Sequence, residues 1–363
     1  MNAYRRIILE DAAIAITLFI AAWYLYFLVG IGSLLDYMED GPFRAYATGP
    51  GIHVEMLVSG IGLGIIIALL NHITEGSRLR RMSFGQVILL KSAIYLGGLA
   101  LLGILVNGIF LLFFYTLEEM RALWSLLSSR VVLGLALWIL ASIVGTNFLM
   151  EVRRKVGPGN LWALLTGRYH RPREENRVFL FMDLKNSTGI AEELGHSSYS
   201  QFLRECYHDM TEFVLRYGGR IYQYVGDEVV LSWLGKDPEA SRFALETYFA
   251  FQERLSHRAD WYRANFGTAP EFWGAVEVGL VTATEVGDIK RDIAFHGDPL
   301  NIAARLLKLC REYRRPILIT GRIQGSVAAN SDLPTEPLGE VLLRGKKDPV
   351  AVFGVSHRAT LQL

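Results

Sequence analysis

Cysteine is nearly absent from this chain: Cys206 and Cys310 are the only two in 363 residues. A disulfide framework is therefore excluded as the basis of the fold. Both fall in a half that reads as cytoplasmic, where reducing conditions leave each as a small apolar side chain. An excess of charge of one sign is also missing, since 37 basic residues stand against 36 acidic ones for a net charge of +1. Without a basic surplus no nucleic-acid partner is expected. Charge is scarcest in the first 150 residues, where four long runs carry at most one Asp, Glu, Lys or Arg each.

What those runs carry instead is apolar surface. The chain is 51% hydrophobic, high for a wholly soluble protein, and almost all of the excess precedes Glu151. Crossing a hydrocarbon core takes about 20 residues. Ala12 to Leu35, Ile52 to Leu70, Val87 to Tyr115 and Val131 to Met150 meet that length, which predicts a four-helix transmembrane domain over 12–150 behind a short cytoplasmic segment, 1–11. Basic residues set the orientation. Arg5 and Arg6, then Arg78, Arg80 and Arg81, then Arg153, Arg154 and Lys155 fall on one side, and Asp36, Glu39, Asp40, Glu118 and Glu119 on the other. A multi-pass protein of the inner (plasma) membrane with both termini cytoplasmic is expected. A cleaved signal peptide competes for the N-terminus, but the first run is long, carries Trp23 and Tyr24 at its centre and lacks a clean small-x-small exit.

Ionisable residues at membrane depth invite a functional reading. Lys91 is expected to snorkel to the interface and His72 to sit close to water. His53 and Glu55, at the outer end of the second span, are candidates for an unknown ligand of the membrane domain, although two residues define no site. Gly60 and Gly64 have the spacing of close helix packing. From 151 to 173 a basic stretch leads into Gly157-Pro158-Gly159 and the amphipathic Asn160 to Leu165, a coupling linker or an interfacial helix anchored by Trp162.

The remainder, 174–363, reads as a separate domain. Val178 to Leu184 is a strand ending on Asp183, and Asp227 follows Gly226 in a tight turn between the strands Arg220 to Val225 and Val229 to Leu234. If these strands are neighbours, the two acids form a hard-oxygen site suited to Mg²⁺ or Mn²⁺. Two carboxylates about 4 Å apart at an effective dielectric near 20 repel by roughly 4 kcal/mol, so a cation or a proton is needed between them. Asn301 and Arg305 share one face of a helix at i and i+4. With helices in Ser187 to Arg216 and from Pro238 to Phe266, and a strand Phe272 to Leu280, the order is βαββαβ, an α+β ferredoxin-like layer of helices on an antiparallel sheet. A strand near Glu285 to Ile289, a helix Pro299 to Glu312, a strand Ile317 to Thr320 and a hairpin around Gly345 are expected after it.

The two acids, the turn glycine and Asn-x-x-x-Arg, in this order over Arg177 to Val355, resemble the catalytic domain of class III nucleotide cyclases, which make a 3′,5′-cyclic monophosphate and pyrophosphate from ATP or GTP. The resemblance implies that Asp183, Asp227 and the carbonyl of Leu184 hold two metal ions per site, and that Lys185, Asn186, Ser187 and Thr188 offer backbone N–H groups to the phosphates. It further implies that Arg305 stabilises charge on the α-phosphate, Asn301 orients the ribose and Lys346, or Lys347 in its stead, binds the outer phosphates. Singly, each has a plain alternative: Asp227 as a type I′ turn residue, Arg305 in a surface ion pair with Glu312 or its neighbours. In the family the acids and the Asn/Arg pair belong to opposite faces of the fold, so a homodimer with composite sites is implied.

Base selection departs from the family pattern, because Gln223 and Ala294 occupy positions where ATP-specific members have Lys and Asp or Thr, and neither fits the Glu and Cys of guanylyl cyclases. Tyr222 to Glu228 and Asp292 to Asp298 resemble segments of a bacterial branch of membrane cyclases generally read as adenylyl cyclases. The resemblance thus implies a membrane-bound adenylyl cyclase with ATP as substrate. A guanylyl cyclase and a nucleotide-binding pseudo-cyclase receptor are the alternatives. Diguanylate cyclases are set aside, since their Gly-Gly-Asp/Glu-Glu-Phe turn is not what Val225 to Val229 spells.

Overall fold

The computed structural model of the chain describes residues 3–31, 48–73, 82–98, 130–157, 163–164, 166–289, 291–327, 332–344 and 346–357. Clustering of contacts divides it into two compact units, Arg5–Val156 and Gly157–Leu363.

The first unit holds α1 (Ala3–Tyr26), which runs on as a π-helix over Phe27–Ile31, then α2 (Pro50–Ile73), α3 (Phe84–Gly98) and α4 (Arg130–Val156). One buried residue from each helix, Phe19, Ile67, Tyr95 and Ile143, meets in a common core. Outward positions are apolar instead of polar: Leu28, Val58, Leu89, Leu133 and Leu137 are all more than half exposed. The polar side chains Lys91, Ser92, Thr146 and Asn147 are buried. That is the inverse of a water-soluble bundle, whose charged face points outward. By length and composition Leu9–Gly30 and Ala136–Arg153 can cross a membrane, while the apolar helices Met56–Leu70 and Phe84–Gly98 are shorter. Two of the four expected spans therefore meet the criterion. The third runs past Gly98 into residues outside the described ones, where the loop residues Asp36, Glu39, Asp40, Arg78, Arg80, Arg81, Glu118 and Glu119 also lie.

Lys91 does not snorkel. Its ammonium is 2% exposed and donates to Glu151 Oε1 at 2.9 Å, because a buried charge needs a partner more than it needs the interface. Asn147 donates to Ser92 beside it at 3.1 Å. Gly60 and Gly64 do pack closely: a Cβ on Gly64 would come within 2.5 Å of Ile16 Cα, so α1 rests on the bare backbone of α2. The His53 ring stacks on Tyr24 at 5.9 Å and meets Phe27 edge-on. The side chains of Glu55 and His72, and residues 158–162 of the linker with Trp162, are outside the described ones.

The second unit is built on an eight-stranded sheet. It contains β1 (Arg173–Leu184), α5 (Ser187–Arg216), β2 (Arg220–Val225), β3 (Glu228–Leu234), α6 (Ala240–His257), α7 (Ala259–Phe266), β4 (Phe272–Val286), β5 (Asp292–His296), α8 (Asp298–Tyr313), β6 (Ile317–Thr320), α9 (Gly321–Val327), β7 (Thr335–Val341) and β8 (Val350–Val355). The strand order is β2-β3-β1-β4-β6-β8-β7, with β5 paired to β4. Its first four strands carry the expected βαββαβ arrangement.

Two expectations change. The sheet is mixed, since β6 runs parallel to β4: the chain leaves β4 and returns through the crossover helix α8, which gives a parallel neighbour. Helices also cover both faces. Val178, Leu180 and Met182 face a core with Phe202, Met210 and Tyr248 of α5 and α6, while Phe179 and Phe181 face Ile302 and Leu306 of α8. Burial on both sides explains why β1 reads as an unbroken apolar run. The expected helix Pro238 to Phe266 is two helices that part at Arg258. The strand expected near Glu285 to Ile289 lies at Asp292–His296, because β4 extends to Val286 and the turn follows it. Cys206 and Cys310 are buried and free, one in each core.

Candidate active site

The antiparallel register of β1 and β3 sets Asp183 opposite Glu228, so the β2–β3 turn is held against the end of β1. That turn consists of Gly226 and Asp227, since Val225 pairs with Glu228. Gly226 takes φ +63, a conformation glycine adopts without steric cost, and Asp227 has no positive φ, so the turn is not type I′. Tyr207 of α5 clamps it, donating to the Gly226 carbonyl at 3.1 Å with its ring 4.6 Å from that of Tyr224.

The result is a carboxyl pair in contact. Burial, the charge of Asp227, a hydrogen bond to Asp227 and the charge of Glu228 together push Asp183 up to about 7, against a smaller opposing effect of the Leu184 backbone N–H. Burial and the charge of Asp227 raise Glu228 as well, opposed by Lys308. Tyr199, on α5, is raised to about 12 by burial and by both acids. Among the described residues no cluster of three or more His, Cys, Asp or Glu forms a ready metal cage. Even so, the pair fits a hard divalent cation: it offers two carboxylates close enough that one keeps its proton near neutrality, the conflict a cation resolves.

After buried Leu184 the chain turns through Lys185 and Asn186, and Asn186 adopts the left-handed conformation (φ 54, ψ 33) that asparagine tolerates best after glycine. Helix α5 starts at Ser187, so the N–H groups of its first turn, with Thr188 exposed, point out beside the acids. The Lys185 ammonium is engaged elsewhere. It donates to Glu271 at 2.9 Å and sits 3.9 Å over the Trp273 ring.

The second group of expected residues lies on and beside α8. This helix begins with Asp298 and Pro299, an acidic N-terminus with proline in its first turn. Ile302, Ala303, Leu306, Leu307 and Cys310 are buried, which leaves Asn301 exposed and Arg305 half-buried on the outward side with Lys308. Arg305 makes no ion pair with Glu312 or its neighbours among the described residues. Lys346 pairs with Asp298 and so joins this group, whereas Lys347 is exposed. Gln223 is exposed on the edge strand β2, and Ala294 lies half-buried on β5, opposite Thr284.

Within one chain, then, Asp183 and Asp227 come together with the Lys185–Thr188 turn, and Asn301, Arg305 and Lys346 form another group. The expectation of opposite faces is corrected. By alternation along β1 Asp183 shares the face of Phe179 and Phe181, on which α8 packs, and among the described residues no hydrogen bond or ion pair joins the two groups. Sequence reading missed Tyr199 and Tyr207, which lie in the long helix after Asp183 with no spacing that marks them, and Glu271, which captures Lys185 from 86 positions away.

No protein-family model matches the chain. Adenylate cyclase 2 of Rhizobium meliloti (strain 1021) is 33% identical over 224 residues, 62% of this chain and 62% of that protein. Adenylate cyclase 1 of the same organism is 26% identical over 182 residues, 48% of this chain and 27% of that protein. The chain thus spans less than two thirds of either relative. A bacterial light-regulated adenylyl cyclase of known structure superposes with a TM-score of 0.52 at 18% identity, covering 63% of this chain and 66% of that one. The second unit shares the fold of that cyclase. In this chain β2 is the last strand at one end of the sheet order, and the turn carrying Asp227 joins it to β3.

Proposed function

We propose that the protein is a membrane-bound adenylyl cyclase that converts ATP to 3′,5′-cyclic AMP and pyrophosphate at sites shared between two copies of the chain. The observation that carries this reading is the contact of Asp183 with Asp227, where burial and the neighbouring charge raise Asp183, a conflict that a divalent cation resolves. Mg²⁺ or Mn²⁺, two per site, held by Asp183, Asp227 and the Leu184 carbonyl, would neutralise triphosphate charge and lower the pKa of the ribose 3′-hydroxyl.

The chain's own groups do the rest. Backbone N–H groups at the start of α5, from Asn186 to Thr188, bind phosphate oxygens. Lys185 contributes its backbone alone, because its side chain is engaged by Glu271 and Trp273. Arg305 stabilises the charge that grows on the α-phosphate and Asn301 orients the ribose; loss of one such preorganised donor costs about two to three decades of rate. Lys346 reaches the outer phosphates by exchanging Asp298 for them. Gln223 donates and accepts at the purine edge, and Ala294 leaves room beside it. The outward exposure of Asn301 supports completion of the site by a second copy, as does the exposed edge strand bearing Tyr224 and Val225.

Apolar outer surfaces on the helices of the first unit support insertion in the inner membrane as a four-helix, multi-pass anchor. Ion pairs from Arg153 near the end of α4 to Glu10 and Asp11 near the start of α1 bring those helix ends to one level, in keeping with termini on one side, the cytoplasmic side where ATP is found. The relatives' names favour ATP over GTP. Purified protein incubated with Mn²⁺ and either ATP or GTP, with product identification, tests the reading: cyclic AMP is expected. Cyclic GMP would identify a guanylyl cyclase, and tight nucleotide binding without product a pseudo-enzyme.

A further inference from the structure

Away from the acid pair, the second unit has a small cavity, open to solvent, between strands β1 to β3, strand β5 and the segment that enters the unit at Tyr169. Arg177 forms its floor. It shares a face of β1 with Asp183 but lies six residues earlier, roughly 20 Å along the strand. Although only 2% exposed, this arginine is fully engaged on one side: it bonds Glu175 Oε2 through Nε at 2.9 Å and through Nη2 at 2.7 Å, and the Tyr169 hydroxyl at 3.4 Å. Phe295 of β5 covers its plane at 4.3 Å. On the cavity side Nη1 donates to Ser232 Oγ at 3.3 Å and keeps a second N–H with no partner among the described residues.

A second guanidinium, Arg220, rises from β2 directly across from Ser232 and lines the same cavity. Arg220 is exposed at the mouth, and partial desolvation with the nearby charge of Arg177 holds it below the ordinary arginine value. Tyr222 completes the wall; its hydroxyl accepts the Phe295 N–H at 3.1 Å and retains its own proton to donate. The acidic groups facing this space do not balance it. Glu175 is already divided between Arg168, Arg177 and Tyr169. Asp292 accepts from the Ile293 N–H at 3.0 Å and is further engaged. Two guanidinium groups, a phenol and a serine hydroxyl thus converge on a small polar space with a surplus of positive charge, the donor set that recognises a tetrahedral oxyanion.

We infer that this cavity is a binding site for a small oxyanion of the phosphate class, held between Arg177 and Arg220 and distinct from the catalytic site. Because Phe295 belongs to β5, and the Tyr169 carbonyl accepts the Glu285 N–H of β4 at 2.8 Å, an occupant ties the entry segment of the domain to the β4–β5 hairpin.

Inorganic phosphate is the probe. Full-length protein in detergent is melted with increasing phosphate, and with chloride at matched ionic strength, for the wild type, Arg220→Gln and Asp227→Ala. Saturating phosphate is expected to raise the wild-type midpoint by about 2 to 4 °C, to leave Arg220→Gln unmoved and to raise Asp227→Ala as in the wild type. A shift in none of them, or an equal shift in Arg220→Gln, overturns the proposal, and loss of the shift in Asp227→Ala reassigns it to the catalytic acids. Should Arg220→Gln fail to melt cooperatively, Tyr222→Phe decides instead: a weakened shift supports the site and an unchanged one refutes it. None of these readouts depends on cyclase activity.

Discussion

Asp183 is where sequence chemistry meets tertiary setting most sharply. A carboxyl at the end of a strand titrates near 3.8 in isolation, and burial beside Asp227 lifts it to about 7. The sign of the consequence follows from linkage. Between those two values the folded protein holds a proton that the unfolded chain has released, so this group's contribution to stability is fully present below about pH 4 and is lost as pH rises through about 7. Asp183→Asn is neutral throughout and removes that slope. In divalent-free buffer the variant and the wild type are expected to differ least near pH 4 and to diverge as pH rises through 7, with the variant several degrees more stable at pH 8. Parallel pH profiles would count against the acid-pair geometry. The residue type and its strand-end position were legible in the sequence. The proton was not, because it depends on how far apart two residues 44 positions distant end up.

At the scale of elements, glycine spacing in α2 has a definite cause. Gly64 lies against Ile16 with room for no side chain, its Cβ position 2.5 Å from Ile16 Cα, whereas Gly62, two residues earlier, has nothing within 4 Å. The pair makes an internal control. Gly64→Ala must push α1 away and is expected to cost about 1 to 3 kcal/mol. Gly62→Ala should be neutral or gain up to about 1 kcal/mol from helix propensity. Unfolding of both variants in detergent would compare them directly, and equal stabilities would contradict the close helix contact. The same scale explains what sequence pattern missed. Lys91 looked free to reach the interface because its partner Glu151 lies 60 positions away on another helix. The missing strand boundary at Val286 has a related origin: β4 continues past Leu280 to pair with β5, a hairpin whose pairing no local periodicity announces.

For the whole molecule the decisive matter is how many copies make a site. Each chain presents acids at one edge and Asn301, Arg305 and Lys346 on an outward group, with no hydrogen bond or ion pair between the groups among the described residues. If two copies complete each other, Asp227→Ala and Arg305→Ala are each inactive alone and recover together. Random pairing makes half the dimers mixed with one intact site in each, so about a quarter of wild-type activity is expected on mixing. Measured cyclic nucleotide formation after subunit exchange checks this, and continued inactivity with exchange demonstrated would rule out the shared site.

The sequence by itself determined the division into an apolar half and an α+β half, the βαββαβ order at the heart of the latter and the strand-end and turn positions of the acids, because periodicity, apolar run length and turn glycines act over a few residues. Tertiary structure alone decided the parallel crossover to β6, the second helical layer, the capture of Lys185 and Lys346 by carboxylates and the Arg177–Arg220 cavity. Each of those rests on a meeting of distant segments, and burial and charge at such a meeting are set by the packed surroundings, which no short stretch of sequence contains.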